Sequence, residues 1–410
     1  MYLSRLRVDS RSDSDNHEAM RIAPCHLANA FLFLTLQFFC SLGFGYASFI
    51  GYGYSNCMTC HYNPHGNGQL NDYGRALFAS EIAARPFWNK KISDEELAKR
   101  SSFTFQEPTP RAIHPSFKYR DLYLTANPGG GGTQRRILMQ ADAGLAWHFD
   151  EKDKYILVLS AGYTPEPVNA SIEKEAWNYH LISREHYLRM QLSEGHFLSV
   201  GLIDIPYGIR IVDHTALSRV GIGLDQNSQV HGVLYNYVED KILFGLHGFV
   251  GNQMRNEIDR VNGGSATFEY EVGEKITLGA SAFHGVRDTG KQSLLGFHTR
   301  VGVGKGSSLM AEWGLNRLEP KMGDATTGNY GLVVGTMRLV RGLDFETQFE
   351  MLKSSFQESS DELYRTSVGL IYFPFQRLEL RSRVVDGRSL SPNEVKGDTW
   401  SIQSQLHLSL

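Results

Sequence analysis

From Ile137 onward the chain alternates. Ile137, Met139, Ala141, Ala143, Leu145, Trp147 and Phe149 are apolar, while Leu138, Gln140, Asp142, Gly144, Ala146 and His148 between them are mostly polar or small. The same period returns near the end. Leu343, Phe345, Thr347, Phe349 and Met351 interleave with Asp344, Glu346, Gln348 and Glu350. Leu378, Leu380, Ser382 and Val384 interleave with Arg377, Glu379, Arg381 and Arg383, and Trp400, Ile402, Ser404, Leu406, Leu408 and Leu410 with Ser401, Gln403, Gln405, His407 and Ser409. A period of two predicts extended strands with one apolar and one polar face.

About sixteen such strands fit between Phe117 and Leu410. Their connections alternate in length. Short ones fall near Glu151–Lys152, Ser193–Gly195, Glu239–Asp240, Gly273–Glu274, Gly304–Gly306, Arg341–Gly342 and Pro374. Long ones fall near 127–133, 164–179, 204–228, 252–264, 287–291, 316–328, 354–361 and 386–398. Long dyad strands joined by alternating short and long links predict an all-β fold, a transmembrane antiparallel β-barrel over 113–410. A soluble β-sandwich would use shorter strands and bury the apolar face in a core, whereas a water-filled barrel of this size has no such core. Trp147, Phe149 and Trp400 near strand ends suit an interfacial aromatic girdle. An even strand number leaves both barrel ends on the short-turn side, facing the periplasm.

Two shorter regions precede the barrel. The run Ala28–Leu42 is apolar and ends in small residues, so residues 1–47 read as an export signal cleaved after Ala47. Met20-Arg21 is a better start for it than Met1, because the first nineteen residues are polar and partly acidic. The run is short for a membrane span and contains Asn29 and Gln37. Cys25 and Cys40 would leave with the signal, so Cys57 and Cys60 would be the mature chain's cysteines and no structural disulfide would form. Residues 48–112 make a small segment, partly helical, with a capping box at Ser93-Asp94-Glu95-Glu96 starting a short helix through Lys99. It is too small to bury much core alone. Charge is balanced, with 41 Lys and Arg against 44 Asp and Glu, and no basic stripe points to nucleic acid.

This segment carries the chemistry. Cys57-Met58-Thr59-Cys60-His61 is a C-x-x-C-H motif. Two thiols one helical turn apart can each form a thioether with a haem vinyl group, and the next residue, His61, can then ligate the iron. A zinc site would need two further well-spaced ligands, but His61 is adjacent and His65 only four residues on. A thioredoxin-like redox pair would need a βαβ context. The glycine-rich run Tyr62–Gly74 can lie close to a flat ligand or be an ordinary loop. His114 is the candidate sixth ligand, ahead of His65, whose chain would have to wrap round the haem.

Over these five residues the chain resembles c-type cytochromes, which implies one covalent haem c and an extracytoplasmic location. The barrel resembles sixteen-stranded general porins, whose third loop folds inward. That resemblance implies a pore constriction here from Arg210, Asp213, His214 and Arg219, faced by Arg338, Arg377, Arg381 and Arg383 from the wall. Combining both parts resembles porin–cytochrome conduits. The implied function is haem binding and electron transfer at the periplasmic face of an outer membrane of Gram-negative type. Partners would be membrane lipid and periplasmic or multihaem cytochromes, since one motif cannot form a chain of haems. The alternatives are a transport porin whose haem segment is a plug, gate or sensor, and a haem peroxidase-like enzyme, for which no catalytic set accompanies the motif.

Overall fold

The computed structural model describes residues 48–54, 56–66, 68–103, 112–127, 132–163, 180–211, 213, 215–255, 257–356, 362–391 and 394–410. The expected export signal, 1–47, lies outside them, as do most of the first two long loops. The strands are β1 Ile113–Asn127, β2 Thr133–His148, β3 Tyr155–Tyr163, β4 Leu181–Ser193, β5 His196–Ile203, β6 Val230–Glu239, β7 Ile242–Val250 and β8 Asn262–Glu271, followed by β9 Ile276–Arg287, β10 Gly290–Gly304, β11 Ser307–Pro320, β12 Thr326–Val340, β13 Leu343–Lys353, β14 Glu362–Phe375, β15 Leu378–Ser391 and β16 Glu394–Ser409. Each pairs antiparallel with its chain neighbours, and β1 pairs with β16 to close the barrel. Closure satisfies every edge, which a sheet in hydrocarbon requires. No helix among the described residues is long and apolar enough to cross a membrane; strands do the crossing.

The dyad register stands. Gln140, Asp142, Glu346, Gln348, Glu350, Glu379, Arg381 and Arg383 are buried inside the barrel. Leu159, Phe349, Leu370, Leu380, Val384, Ile402 and Leu406 are exposed on its outer face. Trp147 lies opposite Ile113 at the short-turn end, while Trp400 lies opposite Asn127 at the other, so exposed tryptophans mark both rims. A lysine or arginine on this outer face would cost about 2–4 kcal/mol at the membrane midplane.

Two of the expected long connections are tight. Between β9 and β10 lie only residues 288–289, and Arg287 pairs with Gly290. β15 and β16 likewise pair out to Ser391 and Glu394. Their polar composition marks hairpins reaching beyond the apolar band, where backbone pairing continues without an apolar face.

The expectation of a coreless, water-filled barrel is corrected. Residues 204–229, the third loop, enter the lumen because Ile205, Tyr207, Ile222 and Leu224 need cover. They pack with wall residues Val230, Phe249, Phe283, Leu294 and Tyr330. Residues 48–103 fill the short-turn end and belong to the same compact unit as the barrel. Ile50 of this segment and Ile209 of the third loop meet in one cluster with Met310, Leu332 and Val334. The lumen is therefore packed from both ends.

Candidate functional site

The motif sits on a single turn. Asn56 caps a 3₁₀ turn, Cys57–Thr59, by accepting a bond from Met58 N at 2.9 Å. The amides of Cys60 and His61 both donate to Cys57 O, at 3.1 and 2.9 Å. This closes the turn and places the two sulfurs one turn apart. Both thiols are free. Burial raises the Cys60 thiol to about 11. Burial also raises Cys57, with the Arg300 guanidinium pulling the other way; Arg300 Nη1 is 3.5 Å from the Cys57 sulfur.

The glycine-rich run folds back over this turn. Gly66 takes φ +75° and Gly68 +63°, values that favour glycine. A Cβ on Gly66 would stand 3.5 Å from the Cys57 sulfur. Asn71 then caps the helix Asp72–Leu77, accepting from Gly74 N at 2.8 Å and donating to Thr59 O at 3.0 Å. Gly74 lies so close to the Cys60 backbone that any side chain there would clash. The Ser93 cap also forms: its hydroxyl accepts from Glu96 N at 3.1 Å and starts the helix Asp94–Lys99. Glu96 turns to Arg100 instead of closing the box.

Cys57, Cys60 and His61 open on one cavity inside the barrel. Phe49, Ile50, Phe78 and Phe373 supply apolar lining; Arg75, Lys118, Arg120 and Arg377 supply positive charge, interleaved with carboxylates that include Asp142, Glu185, Glu269 and Glu379. A flat apolar macrocycle with two carboxylates needs both kinds of surface, so the residues present fit a haem. Among the described residues no group of three or more His, Cys, Asp or Glu side chains is arranged to hold a metal ion.

The other candidates are placed as follows. His114 is buried, with Nδ1 3.1 Å from Asp72 and its ring against His148; it is not among the residues lining this cavity. Asp213 meets Arg383 at 2.7 Å and Arg365 at 3.1 Å. Its burial opposes ionisation, yet the two guanidiniums hold its carboxyl well below the usual carboxylate range. Arg219 pairs with Glu312 at 2.9 Å, and Arg210 stays within its loop on Asp204 and Ile205 O. His214 lies outside the described residues. Of the wall arginines, Arg383 faces the third loop, Arg381 bonds Glu346 and Glu379, and Arg338 and Arg377 reach the N-terminal segment. Arg365 and Glu312 were missed; their inward strand positions were the available signal.

No known family profile matches the chain, and no curated protein matches its sequence. Solved structures do. The OmpT loop-L8 deletion mutant of Vibrio cholerae matches with a TM-score of 0.58 at 10% identity, over 73% of this chain and 99% of that one. The outer-membrane channel DcaP of Acinetobacter baumannii gives 0.56 at 12%, over 73% and 97%. An anion-selective porin from Comamonas acidovorans gives 0.55 at 8%, over 73% and 99%. The chain thus has the sixteen-stranded fold of outer-membrane porins.

Proposed function

We propose that this chain is an outer-membrane β-barrel that carries one covalent haem c within its periplasmic half and takes part in electron transfer. The observation that carries this reading is the Cys57–His61 turn opening on a cavity whose lining includes both apolar side chains and arginines that a haem can use. Cys57 and Cys60 would hold the vinyl carbons and His61 would ligate the iron. Bound there, the haem would supply a one-electron ferric/ferrous couple. The buried, protonated thiols favour attachment before the barrel closes round the segment, since the thiolate is the nucleophile. One haem cannot reach across the membrane alone, so soluble or multihaem cytochromes would deliver or accept the electron, and lipid would cover the outer face.

The test is haem staining on a denaturing gel. Wild-type protein should stain, and Cys57→Ala or Cys60→Ala should lose most of the signal. A Cys57/Cys60 double variant that stains fully sinks the assignment.

A second reading has its own observation: the segment is seated in the lumen by Arg338, Arg341 and Arg377. Here the protein is a transport porin and the segment its plug or gate. Liposome conductance that changes with haem oxidation state would favour this reading over electron transfer.

A further inference from the structure

Resting on the haem reading above, we propose that His407 is the second axial ligand of the iron, opposite His61. His407 points inward from β16 and lines the same cavity as Cys57, Cys60 and His61. Its cross-strand partner on β15 is Glu379. His407 Nδ1 stands 3.0 Å from Glu379 Oε2. The other Glu379 oxygen accepts from Arg381 Nε at 3.2 Å. A carboxylate held by an arginine is an acceptor, so the Nδ1 proton is fixed and the lone pair falls to Nε2. Metal-ligating histidines are held in this way, with the far nitrogen donating to a carboxylate that orients the ring and raises its basicity.

The remaining nitrogen is the telling atom. His407 Nε2 is buried and makes no hydrogen bond. A buried acceptor left unmade is costly, and an iron at that position would satisfy it. His298 carries a similar pair, with Nε2 3.0 Å from Glu269 and Nδ1 buried without a hydrogen bond, but it is not among the residues lining this cavity. His65 lines the cavity, but its Nε2 is 2.8 Å from Asn236 Oδ1, and its ring fills the notch left by Gly245, where a Cβ would come within 2.8 Å. His114 is held by Asp72 away from the cavity lining.

The experiment uses the full-length protein matured with haem, with covalent staining and heat-modifiable gel migration recorded for every sample. Ferric electron paramagnetic resonance and optical spectra should show wild type as six-coordinate, low-spin and bis-histidine. His407→Ala should become high-spin, and added imidazole should restore the low-spin spectrum. His114→Ala and His65→Ala should stay low-spin. Glu379→Gln should remain low-spin with a raised midpoint potential, because the ligand becomes less basic. A stained His407→Ala protein that stays low-spin overturns the assignment. A wild-type spectrum that is high-spin or histidine–methionine does so without any variant. Wild type lacking covalent haem would instead overturn the haem reading itself, so the two failures are distinguishable.

Discussion

Residues 48–103 and the third loop both lie inside the barrel, yet the wall grips them differently. The part of the segment nearest the short turns, residues 79–102, is held mostly at its main-chain carbonyls. Arg341 donates to Ala83 O at 2.8 Å and Ala79 O at 3.1 Å, Arg338 to Glu81 O at 3.2 Å, and Arg377 to Ser101 O at 2.9 Å and to Ser102 O. Farther in, Arg189 bonds Tyr62 O and Lys118 bonds Gly68 O. The third loop is held chiefly at charged side chains, Asp213 by Arg383 and Arg365 and Arg219 by Glu312, with Arg365 and Gln292 also bonding Thr215 O and Ile222 O. A grip on carbonyls tolerates sequence change in the gripped piece, whereas a grip on side chains specifies it.

The difference is broken most visibly at the segment. A triple Arg338→Ala, Arg341→Ala, Arg377→Ala variant should release the short-turn end of the segment and raise single-channel conductance several-fold in planar bilayers. The third loop should keep its protease resistance in that variant. Unchanged conductance would mean that the inner contacts, Arg75 to Pro115 O and Arg189 to Tyr62 O, hold the segment by themselves.

The contrast also explains what could be read from residues alone. The barrel was legible because lipid and lumen impose opposite polarity on alternate residues, and that period survives along every strand that crosses the membrane. Asp213 and Arg219 stood out because they are charged residues of the third loop, which folds inward in the general porins this barrel resembles. That the segment must dock follows from its being too small to bury a core alone, but the place where the wall grips it did not stand out. A carbonyl is the same at Ala83 as at Ser101, so nothing in residues 79–102 announces that the wall will bind there. The cavity shared by Cys57 and His407 was hidden for a related reason. His407 reads as one polar position among the alternating residues of β16, and its link to Glu379 exists only once β15 and β16 pair. The tight hairpin at Arg287–Gly290 was missed because polar residues above the membrane look the same in a loop and in a pair of strands.

A second comparison is energetic. Asp213→Asn would leave the Arg383 and Arg365 guanidiniums without their shared partner in a buried place. Removing one member of a buried pair costs about 3–5 kcal/mol. Arg341→Ala removes donors at the rim, where water can replace them, and should cost about 1–3 kcal/mol. Urea unfolding of both variants in detergent should rank them in that order. The reverse ranking would mean that the carbonyl clamp, not the ion-pair network, is the stronger hold.

The smallest expected effect is with pH, and it separates the two grips by its absence. Asp213 has a folded-state carboxyl held well below its ordinary value, against its burial, by Arg383 and Arg365. Its other close neighbours are Thr215, which donates to it at 2.7 Å, and Gln348 at 3.5 Å. Glu350 shares Arg365 at 2.5 Å. For a depressed carboxyl the stabilisation is complete above the unfolded value and is lost only as pH falls through the folded one. The Asp213 contribution should therefore be complete above the ordinary carboxylate range and fade progressively below it, down to the folded-state value. The segment's own carboxylate contacts with the wall are Asp94 with Arg341 at 2.5 Å and Asp72 with His114 at 3.1 Å, and neither carboxylate is shared between two arginines of the wall. Limited proteolysis from pH 7 down to pH 4 should thus leave both inserts equally protected, and more acidic samples should expose the third loop before the segment. Cleavage within 204–229 that appears already near pH 5 would show that Asp213 titrates as an ordinary carboxylate, and that the third loop is held mainly by its apolar packing.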